Sequence, residues 1–406
     1  MCEKIMTKEE VLQSLAIHTE SKLLMIIIDG IGGLPVRGKT ELEAAKTPNL
    51  DRLAYKSICG LIDPISYGIT PGSGPSHLAL FGYDPFQYEI GRGVMEALGI
   101  GLSLTKEDLT ARGNFATIGG NGVIVDRRAG RISTEKNKEA CQFLQSKIRE
   151  VNGIKVAIYP GKEHRFVIVF QGEGLKDDLT DADPQKDGQK AKGTENVTPE
   201  ARRTAEVVNE YLRRATEALK PFHPANTILL RGFSKIPNIS SMSERFKLKP
   251  AAIATYPMYR GLARLVGMEV LETGETLRDE VETLKNNFNG YDFFYLHFKK
   301  TDSAGEDGDF KRKVKAIEEI DRVLPSILKL KPDVLVVTGD HSTPAILKSH
   351  SWHPNPLLLY SKYVRPDGIR RFTERQCQKG QLGRFPAVEI IPLMLANGLK
   401  LKKFGA

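Results

Sequence analysis

Three apolar runs in this chain end in residue types that bind metal ions. "KLLMIIIDGIGG" (22–33) delivers Asp29, "YDFFYLHFKKTDSAGEDGD" (291–309) delivers Asp302, Glu306 and Asp307, and "PDVLVVTGDHSTP" (332–344) delivers Asp340 and His341. His350 and His353 follow in "SHSWHPNP". One aspartate after a strand is an ordinary turn or cap residue; three strand ends of this kind are harder to account for that way. Carboxylate and imidazole donors in this mixture suit divalent manganese, magnesium or zinc. Two such ions side by side clamp a phosphoryl group.

A candidate nucleophile lies in "ITPGSGPSHLALFGYDP" (69–85). Glycine and proline flank Ser73, and both are ordinary turn residues, so the string reads either as a turn before a helix or as a serine held out of regular structure for chemistry. A serine hydroxyl is weak until a base takes its proton or a metal coordinates its oxygen. His77, four residues on, is the base a serine–histidine arrangement would use; it reads better as a structural residue. Arginines cluster beside glycine-containing turns: Arg127, Arg128 and Arg131 in "VDRRAGRIS", Arg231 in "LLRGF", and Arg260 and Arg264 in "YPMYRGLARL". Guanidinium forks match phosphate and carboxylate geometry, so some of these are expected to bind an anionic substrate.

The elements that must position these residues follow from hydrophobic pattern. Continuous Ile- and Val-rich runs read as strands buried on both faces. Between the last two runs, residues 309–330 place Val314, Ile317, Ile320, Val323, Leu324 and Ile327 at helical spacing. Strand–helix–strand order predicts a doubly wound α/β sheet, whose ligands sit beyond the C-terminal strand ends. The three acidic clusters would then meet in one crevice. "TELEAAKTPNLDRLAYKS" (40–57) predicts a short helix, a break at Pro48 and a second helix capped near Thr47. From about Thr105 to Pro250 the pattern changes to short strands and turns, a polar stretch at 171–199 read as a surface loop, and a long helix over 199–219. This predicts an α+β domain, 101–247, inserted into a metal-binding domain formed by 1–100 and 248–406.

A length of 406 residues suits two or three domains. No apolar run is long enough to span a bilayer, and the opening stretch is polar, so neither membrane insertion nor a secretory leader is expected. Cys2, Cys59, Cys141 and Cys377 form no CxxC and read as reduced thiols of a cytoplasmic protein. The formal net charge is +9, but the basic residues are dispersed, which argues against nucleic acid and leaves small anionic metabolites.

Taken together, "IIIDGIGGLP", "TELEAAKTPNLDRLA", "TPGSGPSHLALFGYDP", "GRGVMEALGIG", "NFATI", "VDRRAGRIS", "AAIATYPMYRGLARLVGMEVL", "KKTDSAGEDGD" and "VVTGDHSTP" with "HSWHPNP" resemble the archaeal-type 2,3-bisphosphoglycerate-independent phosphoglycerate mutases of the alkaline phosphatase superfamily, over nearly the whole chain. The resemblance implies an alkaline-phosphatase-like sheet domain with two divalent ions, manganese or magnesium before zinc. Asp29, Ser73, Asp340 and His341 match one ligand set; Asp302, the position of Glu306, and His350 match the other. Ser73 would carry the phosphoryl group while glycerate reorients, interconverting 3- and 2-phosphoglycerate without 2,3-bisphosphoglycerate. The inserted domain would supply arginines for the substrate carboxylate and close to exclude water. Two positions depart from the family pattern. Glu306 stands where histidine is usual, and Gly74 stands where an acid often follows the serine. A phosphatase, or a phosphotransferase of the homoserine-kinase-like branch, would use the same residues on another metabolite. A binding protein that had lost its second ion is the rival from a different class.

Overall fold

The computed structural model describes residues 6–405; Cys2 lies outside them. The chain divides into two compact units, one formed by the described residues up to Glu89 and from Ile239 onward, the other by Ile90–Asn238.

The first unit is built on an eight-stranded sheet in the order Glu269–Val270, Pro250–Ile253, Phe293–Phe298, Leu23–Ile28, Val334–Thr338, Asn355–Ser361, Ile58–Asp63 and Gly383–Pro386. The first five strands are mutually parallel, and Asn355–Ser361 runs antiparallel to both its neighbours, so the sheet is mixed. Every residue of Leu23–Ile28 is buried, as expected of a central strand covered on both faces. Helices Pro48–Tyr55 and Phe310–Leu328 pack on one face, where Leu50, Leu53, Ile317, Ile320, Leu324 and Ile327 join the sheet residues in one core. Thr47 does precede the first of these helices, although its side chain makes no capping bond.

Register places the chemistry. Ile28 pairs with Phe298, and Ile27 with Thr338, so three parallel strands end at one level. Asp29, Lys299 and Asp340 all follow within two residues of those ends, on one rim of the sheet. Gly30, at φ +63°, turns the chain there; a Cβ on it would lie 2.6 Å from Thr343 Oγ1 and 3.0 Å from Asp302 Cα, so glycine allows the strand-end loops to touch.

The second unit is α+β. Asp108–Ile118 pairs antiparallel with Ile124–Asp126, Arg165–Gln171 and Thr227–Ser234, and Ile154–Pro160 extends the sheet. Helices Thr134–Lys147 and Arg202–Leu219 supply Ala140, Leu144, Val207, Val208 and Tyr211 to its core. The helix over 199–219 begins as a 3₁₀ turn, Pro199–Ala201. Helix Arg92–Gly99 belongs to this unit; Gly93 lies so close to Thr110 that a Cβ would come within 2.6 Å of its carbonyl oxygen. Residues 172–198 carry no helix or strand, but they are more than surface, because Asp183 is buried among them.

Candidate active site

Ser73 is the first residue of helix Ser73–Leu80, with Gly72 as its extended N-cap. The turn residues flanking it are therefore a helix start: glycine adopts the cap conformation and proline is tolerated in the first turn. The N-terminal N–H groups of that helix favour negative charge beside Ser73. His77 is wholly buried one turn later and donates from Nδ1 to the Ser73 carbonyl at 2.8 Å. It faces the backbone of Ser73 rather than the hydroxyl. Burial pushes it down to about 3, with the neighbouring His297 acting in the same direction.

Among the described residues three groups of potential ligands occur, and two of them share His341 beyond the strand ends: Asp29 with Asp340 and His341, and Asp302 with His341 and His350; the third joins His77 and His297 to Asp340. His341 donates from Nδ1 to Thr343 Oγ1 at 2.9 Å, and His350 donates from Nδ1 to the Pro71 carbonyl at 2.9 Å. Both rings therefore turn an Nε2 lone pair towards the carboxylates, the usual way a ligating histidine is oriented. The His341 and His350 rings stack at 3.6 Å. Glu306 ends helix Lys300–Glu306, with its side chain 53% exposed and Oε1 4.0 Å from His350 Nε2. Asp307 points elsewhere, to Arg312. His353 stacks on Trp352 and meets Ser351 Oγ at 3.1 Å, so it joins neither group.

The first group fits a cation on its own chemistry. His341 Nε2 lies 3.1 Å from Asp340 Oδ2 and 3.3 Å from Asp29 Oδ1, and all three buried atoms lack a hydrogen-bond partner. Lone pairs facing one another in a buried site are costly unless positive charge lies among them. Burial first, then the Asp29 charge, pushes Asp340 well above the usual carboxylate range. Burial also opposes the Asp29 charge, but His297, His341 and Lys299 outweigh it and hold Asp29 well below that range.

Three further residues line this centre without having been singled out from the sequence. Lys299 Nζ reaches Asp29 Oδ2 at 3.0 Å and Asp302 Oδ2 at 2.5 Å. Tyr259, in helix Pro257–Leu265, donates to Asp29 Oδ2 at 2.7 Å. The His297 ring lies against Tyr259, centroids 3.9 Å apart and tilted by 39°, with Nε2 3.3 Å from Asp29 Oδ2. Two signals were available: Lys299 stands three residues before Asp302, and His297 interrupts an otherwise apolar strand.

The arginines divide. Arg260 is paired with Glu272 at 2.5 Å, and half-buried Arg264 follows one turn later on the same helix of the first unit. In the second unit, Arg127 forks onto Asp183, with Nε at 2.8 Å and Nη2 at 2.6 Å. Arg128 and Arg131 are exposed. Arg231 is half-buried, its Nε has no partner, and burial followed by Arg92 lowers its pKa. Arg112, on strand Asp108–Ile118, was not anticipated. It is buried with Nε unpartnered, and burial pushes it down to about 10 against the pull of Glu96 at 3.2 Å. Arg92, Arg165 and Arg231 all act on it as like charges. A crowd of cations of this kind, with Arg112 buried, Arg231 half-buried and Arg92 and Arg165 exposed, suits an anion.

Comparison with known proteins decides the family. The chain is 55% identical over 406 residues to an Aquifex aeolicus protein named "Probable 2,3-bisphosphoglycerate-independent phosphoglycerate mutase", covering 98% of this chain and all of that one. It is 53% identical over 402 residues to a Thermotoga neapolitana protein of the same name, covering 99% and 100%. The chain belongs to the 2,3-bisphosphoglycerate-independent phosphoglycerate mutase family. The family model of that description matches residues 54–226. The cofactor-independent phosphoglycerate mutase from Thermoplasma acidophilum has a similar fold, with a TM-score of 0.75 at 31% identity, covering 93% of this chain and 100% of that one.

Membership in this mutase family makes the chain an isomerase, the class the motifs implied. The structure brings Asp29, Asp302, Asp340, His341 and His350 together, with Glu306 at the outer edge. No helix among the described residues is long and apolar enough to cross a membrane.

Proposed function

We propose that this chain interconverts 3-phosphoglycerate and 2-phosphoglycerate without 2,3-bisphosphoglycerate, with Ser73 carrying the phosphoryl group at a centre for two divalent ions. The observation that carries the reading is the convergence of partnerless Asp29 Oδ1, Asp340 Oδ2 and His341 Nε2 beside Tyr259, which donates to Asp29.

In this reading Asp29, Ser73, Asp340 and His341 hold one ion, and Asp302, Glu306 and His350 hold the other. Manganese or magnesium suits the carboxylate-rich second set better than zinc. Bound there, the ions would neutralise phosphoryl oxygens and lower the pKa of the Ser73 hydroxyl. The remaining work falls to the chain. Ser73 Oγ attacks phosphorus, the bond to one glycerate oxygen breaks, and that oxygen leaves with a proton. The other glycerate hydroxyl then attacks the phosphoserine and restores Ser73. Tyr259 holds the Asp29 carboxylate, and the helix N-terminus at Ser73 favours the charge that develops there. Arg127, Arg128, Arg131, Arg231, Arg260 and Arg264 are the candidates for the substrate's carboxylate and phosphate; Arg112 joins them, and the Asp183 fork makes Arg127 the most constrained. The buried thiols of Cys59, Cys141 and Cys377 suit a reducing compartment such as the cytoplasm.

The test is to incubate manganese-loaded protein with 3-phosphoglycerate, in the absence of bisphosphoglycerate, and read products by phosphorus NMR. 2-Phosphoglycerate is expected, whereas inorganic phosphate as sole product would make the chain a phosphatase. Ser73→Ala should retain the folded circular dichroism spectrum and lose turnover. Substantial mutase activity in that variant would rule out the phosphoserine route.

A further inference from the structure

Thr343 lies between the two ligand groups. It follows Asp340 and His341 on the loop leaving strand Val334–Thr338, and it is wholly buried. Its Oγ1 donates to Asp302 Oδ1 at 2.6 Å, and the same oxygen lies 2.9 Å from His341 Nδ1. A hydroxyl has one proton, and the carboxylate can only accept it, so the second bond must run from His341 Nδ1–H to Thr343. This leaves the lone pair on His341 Nε2, the atom 3.1 Å from Asp340 and 3.3 Å from Asp29. One hydroxyl thus sets the tautomer of a residue in the first group and the rotation of a carboxylate in the second.

The loop around Thr343 is fixed from below. Lys313, itself fully buried on helix Phe310–Leu328, donates to the Thr343 carbonyl at 2.8 Å and to the Gly32 carbonyl at 2.9 Å. The Thr343 N–H also donates to Gly32 O, at 3.1 Å. The loop after the central strand and the loop after its neighbour are therefore held as one piece, with the Thr343 hydroxyl directed at both ligand groups.

We propose that Thr343 is a positioning residue that couples the two ion groups, so that loading of one prepares the other. The proposal rests on the two-ion reading above. Without the hydroxyl, His341 Nδ1–H and Asp302 Oδ1 both lose a buried partner, the ring is no longer restricted to one tautomer, and the carboxylate can rotate. Outer partners of metal ligands of this kind contribute about 10–100-fold to metal affinity.

The test uses the full chain, labelled with ¹⁵N-histidine and metal-free. Two-bond correlation spectra, with His341→Gln to assign the ring, should show the His341 proton on Nδ1 in the wild type. Calorimetric titration with manganese should then show two ions in the wild type and roughly 10–100-fold weaker uptake at both in Thr343→Val, with Thr343→Ser restoring wild-type affinity. A wild-type His341 protonated at Nε2 would overturn the proposal, as would a Thr343→Val affinity within twofold of wild type. Should the valine variant fail to fold, the wild-type tautomer and the serine variant still decide. A wild type that takes up a single ion would sink the two-ion reading and the coupling together; the tautomer, read without metal, tells that failure from a misassigned role for Thr343.

Discussion

Removing one oxygen from Tyr259 tests whether the chain itself holds the Asp29 carboxylate beside the nucleophile for the reaction. In Tyr259→Phe the ring stays, so its tilted contacts with His77 at 4.5 Å and His297 at 3.9 Å are preserved and no cavity opens. What is lost is a fully buried O–H donating to the Asp29 carboxylate at 2.7 Å. A hydrogen bond to a charged group is worth about 1.5–3 kcal/mol. At about 1.4 kcal/mol per factor of ten, kcat should fall by roughly 10–150-fold if the bond matters most when charge develops on Ser73. Asp29 retains Lys299 at 3.0 Å, so metal uptake should change little. Steady-state conversion of 3-phosphoglycerate, coupled to dehydration of the product and followed in the ultraviolet, gives kcat and KM; manganese titration gives the control. A kcat within twofold of wild type would show that the phenol's bond to Asp29 does not serve the reaction. A loss confined to metal affinity would make Tyr259 a support for Asp29 alone.

Glu306→Gln keeps the shape of the side chain and removes its charge; uptake of the second manganese ion should weaken about tenfold, and unchanged stoichiometry and affinity would remove Glu306 from the ligand set. Stability offers an independent check at Glu280, which burial pushes up to about 8 from an ordinary 4.5, with Lys300 opposing. The native state therefore holds this proton where the unfolded chain has released it, so stability falls as pH rises from about 4.5 to 8. Glu280→Gln should flatten that slope and raise stability at pH 8.5, by at most roughly 4–5 kcal/mol; parallel denaturation curves for the two proteins at pH 5 and 8.5 would refute the assignment.

The strand-end acids were legible because a parallel strand buried on both faces cannot hide its pattern: the apolar run stops where the ligand begins. Helix Phe310–Leu328 was legible for a similar reason, its core residues repeating at helical spacing. The direction of Asn355–Ser361 was not, since hydrophobic pattern carries no sign for which way a strand runs. Glycine and proline around Ser73 mark turns and helix starts equally, and only the backbone resolves a helix start. Tyr259 acquires its role from Asp29, far away in sequence, and Lys299 and Thr343 each join a local partner to a distant one, Asp29 and Asp302 respectively. Arg112 resembles any strand-borne charge until its arginine neighbours are brought beside it. Asp183, in a segment whose composition suggested only solvent, matters through Arg127.

The order of strands in the first sheet also bears on how the chain is made. Leu23–Ile28 lies at the middle of that sheet, yet its two partners begin at Phe293 and Val334. At the usual 5–20 residues per second, a ribosome needs about 15 to 50 s to reach the earlier partner. For that interval "LLMIII" has no neighbours to pair with, which is the sort of segment that seeds aggregation. Ile90–Asn238 carries its own core and emerges complete in the meantime. The nascent chain should therefore hold one finished unit while the most apolar strand of the other still waits, and that strand is where a chaperone is expected to bind.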